Sequence, residues 1–163
     1  MQWKPGRSTI EYLLSAPRLE RLTPVGIDRS ADDLFERAER RLATAQAGAD
    51  LGDFEGAFVA GYDAYRMAAE SLLLRQAMRA AGGDGSHVAV EDAVAAQFAD
   101  EIPAFAKPTF DRFRRSRHAA QYFDPGAPDL TSDDATWALV TAASAIDVTR
   151  RVSRESPPPV FDP

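Results

Sequence analysis

Apolar residues recur at steps of three and four along most of the chain, the spacing of one helix face turned to a core. Leu34, Ala38, Leu42 and Ala45 form one such line. Ser30, with Asp33 three residues on, gives it a capping-box-like start, and Gly48 an end. Phe54, Phe58, Tyr62, Tyr65, Ala69, Leu72 and Leu73 form the clearest line, which predicts a helix from Asp53 to Ala81, about 40 Å long at 1.5 Å per residue. The run Gly82-Gly83-Asp84-Gly85 reads as a turn, and Ser86 as the cap of a helix through Val88, Ala89, Ala93, Ala96 and Gln97. Pro103 and Pro108 bracket a break. A helix from Thr109 then carries Phe110, Phe113, Ala120 and Phe123 and stops at Asp124-Pro125-Gly126. The last helix begins at Ser132 and runs through Trp137, Leu139, Val140, Ile146 and Val148 to Arg154.

No segment shows the alternation of a strand, and no repeat of fixed period is present. The expected fold is all-α, an up-down bundle of four to five helices spanning residues 30–154. Residues 1–29 read as an N-terminal arm with one short helix over Thr9–Ser15, its Ile10, Leu13, Leu14, Leu19, Leu22 and Val25 packing on the body. Residues 155–163, with Pro157-Pro158-Pro159, read as an extended or disordered Pro-rich tail.

Composition narrows the chemistry. A chain of 163 residues, 45% apolar and 27% charged, suits one globular domain. It has no cysteine, so disulfides, thiolate metal sites and a Cys nucleophile are excluded. Its two histidines lack the spacing of an HxxxH or HExxH pair, so no metal is expected. The Gly82–Gly85 turn lacks the Lys-Ser/Thr of a phosphate loop, and no cofactor is expected. No apolar run approaches the ~20 residues of a membrane span, and no signal-peptide stretch follows the N-terminus, so the expected location is cytoplasmic. Lys4 and Lys107 are the only lysines beside abundant Ala and Arg, a bias of high-GC bacterial genomes.

The net charge of −6 argues against broad nucleic-acid binding. The charge is uneven, however. From Lys107 to His118 five cations, Lys107, Arg112, Arg114, Arg115 and Arg117, face one carboxylate, Asp111. On a wheel of about 100° per residue, Arg117 falls close to the buried face marked by Phe110, Phe113 and Ala120. A guanidinium there needs an acidic partner. Asp63, within Gly61-Tyr62-Asp63-Ala64-Tyr65-Arg66, is the first candidate for a structural ion pair and Asp147 the second. Arg114, Arg117, His118 and Gln121 share one polar wall about 100° wide. Arg can hold a phosphate and stabilise developing negative charge, and His can move a proton near neutral pH. Metal-independent RNA cleavage needs both. The same pattern is also that of a structural ion pair flanked by solvated arginines. His87 has two readings as well: an exposed residue in the first turn of its helix, or a contributor to the same cleft.

Arg117-His118-Ala119-Ala120-Gln121-Tyr122, late in a compact helical bundle, resembles the HEPN superfamily motif of Arg, a polar residue, three spacers and His. Tyr122 stands where the motif has His, and a Tyr hydroxyl, with a reference pKa of about 10, is a poor general base. A looser form, Arg with four to six spacers before His, is met by Arg112 and His118. The two registers use different arginines, and the Arg117–Tyr122 register is the preferred one. Tyr62-Asp63-Ala64-x-Arg66 on the long helix and Gly82-Gly83-x-x-x-His87 are also similar to a bacterial HEPN-like subgroup. The resemblance covers residues 30–153.

The resemblance implies a ribonuclease of a toxin–antitoxin or defence system, acting without metal as a homodimer that brings two motifs into one cleft, sometimes beside a nucleotidyltransferase-type antitoxin. Arg117, His118 and Tyr122 would be the catalytic set. Arg114, Gln121 and Arg112 would position RNA. The alternative is a non-catalytic helical dimerisation or interaction module with a degenerate motif.

Overall fold

A computed structural model describes residues 6–83, 85–121, 125–126 and 128–162; for Ala119 and Gln121 it describes the backbone only. The described residues are all-α apart from one small two-stranded sheet. In chain order they form α1 (Arg7–Ser15), β1 (Leu19–Arg21), α2 (Ile27–Asp50), α3 (Phe54–Arg75), β2 (Met78–Ala80), α4 (Ser86–Phe98), a 3-10 turn (Pro103–Phe105), α5 (Lys107–Gln121) and α6 (Ser132–Glu155). No helix of the described residues is long and apolar enough to cross a membrane.

Helix α3 is the axis of the bundle. Phe58, Tyr62, Tyr65, Ala69, Leu72 and Leu73 are buried, as their spacing predicts, but so are Ala57, Ala60, Gly61, Ala64 and Ala68 on its other sides. A helix buried nearly all round is one that others surround. Helices α2 and α6 cover one flank, α4 and α5 the other. The small residues let α6 come close: a Cβ built on Gly61 would lie 3.3 Å from the Ala138 methyl. The Asp53 side chain accepts the Gly56 N–H at 2.8 Å and fixes the start of α3. The α3–α5 seam is aromatic. Phe113 sits 4.7 Å from the Tyr65 ring, 5.7 Å from Tyr62 and 4.7 Å from Trp137, centroid to centroid. Tilted pairs of this kind add about 0.5–1.5 kcal/mol each beyond area burial.

Several boundaries differ from the sequence expectation, each for a local reason. Helix α3 ends at Arg75, because Ala77 adopts φ 57 and turns the chain. The following residues Met78–Ala80 pair antiparallel with Leu19–Arg21, Leu19 facing Ala80 and Arg21 facing Met78. Two strands thus occupy sequence read as helix and arm. Helix α2 begins at Ile27 behind a left-handed Gly26, and Ser30 lies inside it. Helix α6 is capped by Thr131, which forms a reciprocal capping box with Asp134. The arm belongs to the core, with Ile10, Leu13 and Leu19 buried. The tail takes the extended form of the two expected and docks on the body: the Phe161 N–H donates to the Gln76 carbonyl at 3.0 Å, and Arg21 Nη1 donates to the Phe161 carbonyl at 3.0 Å. Asp124, part of the expected stop of α5, lies outside the described residues.

Candidate functional site

Helix α5 buries Phe110 and Phe113, and its arginines leave in different directions. Arg112 lies over the Trp137 ring, 3.8 Å from its centroid, with Nη2 3.7 Å from Asp134 Oδ1. Arg114 donates to Glu91 Oε2 at 2.9 Å and to Asp111 Oδ1 at 2.7 Å. Both cations expected to position RNA therefore hold internal partners. Only one, Arg114, lies on the α4 side.

Arg117 is different. It is half-buried, as the wheel predicts, but no carboxylate lies within 4 Å of it among the described residues. Neither expected ion pair forms: Asp63 makes none with it, and Asp147 binds Arg150 Nη1 at 2.7 Å. The guanidinium sits over the Tyr62 ring instead, 5.1 Å from its centroid. Its Nε is buried with no hydrogen-bond partner. A ring face offsets part of a cation's desolvation, roughly 0.5–2 kcal/mol, yet leaves the Nε–H donor unsatisfied.

Three further side chains gather around Tyr62. The Tyr62 hydroxyl is 3.4 Å from His87 Nδ1, with donor and acceptor set by the tautomer. His87 stands in the first turn of α4, which a left-handed Gly85 opens. Arg66, one turn after Tyr62 on α3, pairs with Glu70, and its Nε is buried without a partner. Glu91, one turn after His87 on α4, is 2% exposed; one oxygen takes Arg114 and the other, Oε1, has no partner.

This crowding shifts protonation in several ways. Burial, and secondarily the charges of Glu91 and Asp63, push Tyr62 up to about 12 against the pull of Arg66 and Arg117. Its hydroxyl thus keeps its proton at neutral pH. Burial lowers His87, and Arg66 and Arg117 lower it further, with Asp63 opposing. Neutral imidazole is therefore favoured there. Burial raises Glu91 despite Arg114, and raises Glu70 despite Arg66. Perturbed groups from α3 and α4 meeting at one place, beside the guanidinium of Arg117, are a common mark of a functional site.

Helix α5 thus places Arg117 inside the cluster and Arg114 at its edge. Arg112 belongs to the Trp137 side, and His118 is exposed. Tyr122 lies outside the described residues, and Gln121 closes α5 with its side chain likewise undescribed. The sequence marked Arg66 only as part of the Tyr62–Arg66 pattern and gave neither it nor Glu91 a role in the site. The available signal was the pairing of Tyr62 with Arg66 and His87 with Glu91, each four residues apart and so on one helix face. Among the described residues no group of three or more His, Asp or Glu could hold a metal. No known family model, curated protein or solved structure matches the chain.

Proposed function

We propose that this is an RNA-directed domain of HEPN type, in which Arg117 takes a phosphate of single-stranded RNA. The observation that carries this reading is the state of Arg117: a half-buried guanidinium with a ring beneath it, an unsatisfied Nε and no carboxylate within 4 Å among the described residues. Such a cation is left short of hydrogen-bond acceptors, and a phosphate oxygen supplies them in the geometry guanidinium prefers. In the ribonuclease form of the proposal, Arg117 stabilises the charge developing on phosphorus in a toxin or defence nuclease. A homodimer would bring two such sites together, and a nucleotidyltransferase-type antitoxin is a candidate partner.

A second reading, a non-catalytic interaction module, is favoured by one observation. Arg112 and Arg114 are both engaged by carboxylates, which weakens the basic surface that RNA would meet. Incubating wild type and Arg117→Ala with single-stranded RNA in EDTA separates the two. Cleavage by wild type that Arg117→Ala loses supports the nuclease. Arg117-dependent binding without cleavage supports the module. Binding that Arg117→Ala leaves intact removes the phosphate site altogether.

A further inference from the structure

We infer that His87, not His118, is the imidazole that meets the phosphate held by Arg117. The inference rests on the phosphate-site reading of Arg117 and adds to it a residue from a different helix. The two histidines differ in setting. His118 follows Arg117 directly on α5, points about 100° away from it, and is exposed. His87 comes from α4 and reaches the ring over which Arg117 lies, through the 3.4 Å approach of Nδ1 to the Tyr62 hydroxyl. The rings of Tyr62 and His87 are 6.2 Å apart, centroid to centroid. One tyrosine thus joins the imidazole and the guanidinium.

That tyrosine can also favour one tautomer. Its hydroxyl stays protonated at neutral pH and can donate to Nδ1. A neutral imidazole accepting at Nδ1 carries its proton on Nε2. The Nε2–H is then a donor aimed away from Tyr62, available to a phosphate oxygen. The groups acting on His87 are Tyr62, Asp63 and Arg66 from α3 and Arg117 from α5. Two of the three charges are positive and resist imidazolium in the empty site. A bound phosphate reverses that balance, so occupancy should draw a proton onto His87.

The chain has only two histidines, so their imidazole carbon-bound protons can be followed separately by NMR. The probe is a short 2′-O-methyl RNA oligonucleotide, which cannot be cleaved through its 2′ position. Without it, the His87 midpoint should lie below the ordinary value of 6.5. At saturation the His87 midpoint should rise, and more than that of His118; in Tyr62→Phe the rise should shrink. If the oligonucleotide binds in an Arg117-dependent manner but moves only His118, the inference is wrong and the phosphate-site reading stands. If the oligonucleotide does not bind, or binds equally well to Arg117→Ala, both fall together.

Discussion

The two flanks of α3 treat buried and half-buried arginine in opposite ways. On the α2–α6 flank both Arg75 and Arg150 find oxygen. Arg150 donates to Glu39 at 2.6 Å and to Asp147 at 2.7 Å. Arg75, almost enclosed, donates to Asp32, to Asp28 at 3.4 Å and to Ser153 at 3.1 Å. On the α4–α5 flank three polar atoms at the centre have no partner: Nε of Arg66, Nε of Arg117 and Oε1 of Glu91. The first flank leaves only the buried Thr149 hydroxyl of α6 without a partner among the described residues, and its ion pairs tie helices together. The second keeps unsatisfied donors around a tyrosine and a histidine. Unpartnered buried donors cost about 1–3 kcal/mol each, a cost expected where a ligand completes the set.

The sharpest way to break this contrast is to remove one arginine from each flank. Arg117→Ala should weaken RNA-oligonucleotide binding by about 100-fold, the loss of ~2.7 kcal/mol of charge-assisted hydrogen bonding. It should change the urea midpoint of unfolding little, because only a ring contact is lost. Arg75→Ala should do the reverse, costing about 1–2 kcal/mol of stability with oligonucleotide binding unchanged. Equal stability losses from both variants, read by urea denaturation, would erase the distinction.

A smaller effect is expected from Glu91→Gln. It removes the charge of the buried carboxylate that holds Arg114 and leaves that cation paired with Asp111 alone among the described residues. Oligonucleotide binding should strengthen about twofold, the yield of roughly 0.5 kcal/mol in a screened setting. Weaker binding in fluorescence anisotropy would mean that Glu91 positions Arg114 for the ligand.

The smallest effect concerns pH. The folded state lowers the His87 pKa, so the unfolded chain binds the proton more readily. Stability should therefore decline as pH falls below about 6.5, the unfolded value. Glu70 and Glu91, raised in the fold, act with the opposite sign above their ordinary 4.5. Denaturation of His87→Gln across this window should show a shallower decline than wild type. An unchanged profile would remove His87 as its cause.

The same contrast explains what could be read from the sequence. Long helices were legible because their stripes persist over many turns, as in Phe58, Tyr62, Tyr65 and Leu72 of α3. The strands were not, since Leu19–Arg21 and Met78–Ala80 are too short to show alternation. Nor was the end of α3, because Ala77 gives no hint of the left-handed turn that a glycine would have signalled. The wheel located Arg117 at the core edge correctly. It supplied the wrong partner, because Asp63 neighbours Tyr62 in sequence while the ring, not the carboxylate, faces α5. His87 could be read from the sequence either as an exposed first-turn residue or as a contributor to the same cleft, with nothing to choose between them. Its meeting with Tyr62, twenty-five positions away, is a fact of packing.

The salt dependence of binding tests the central claim most directly. Each phosphate neutralised on a single strand contributes about 0.7 to the slope of log K against log salt concentration. Arg117→Ala should reduce that slope for single-stranded RNA by about 0.7, as expected for the loss of one phosphate contact. Parallel lines for the two proteins would mean that the guanidinium meets no phosphate, and the account would be wrong.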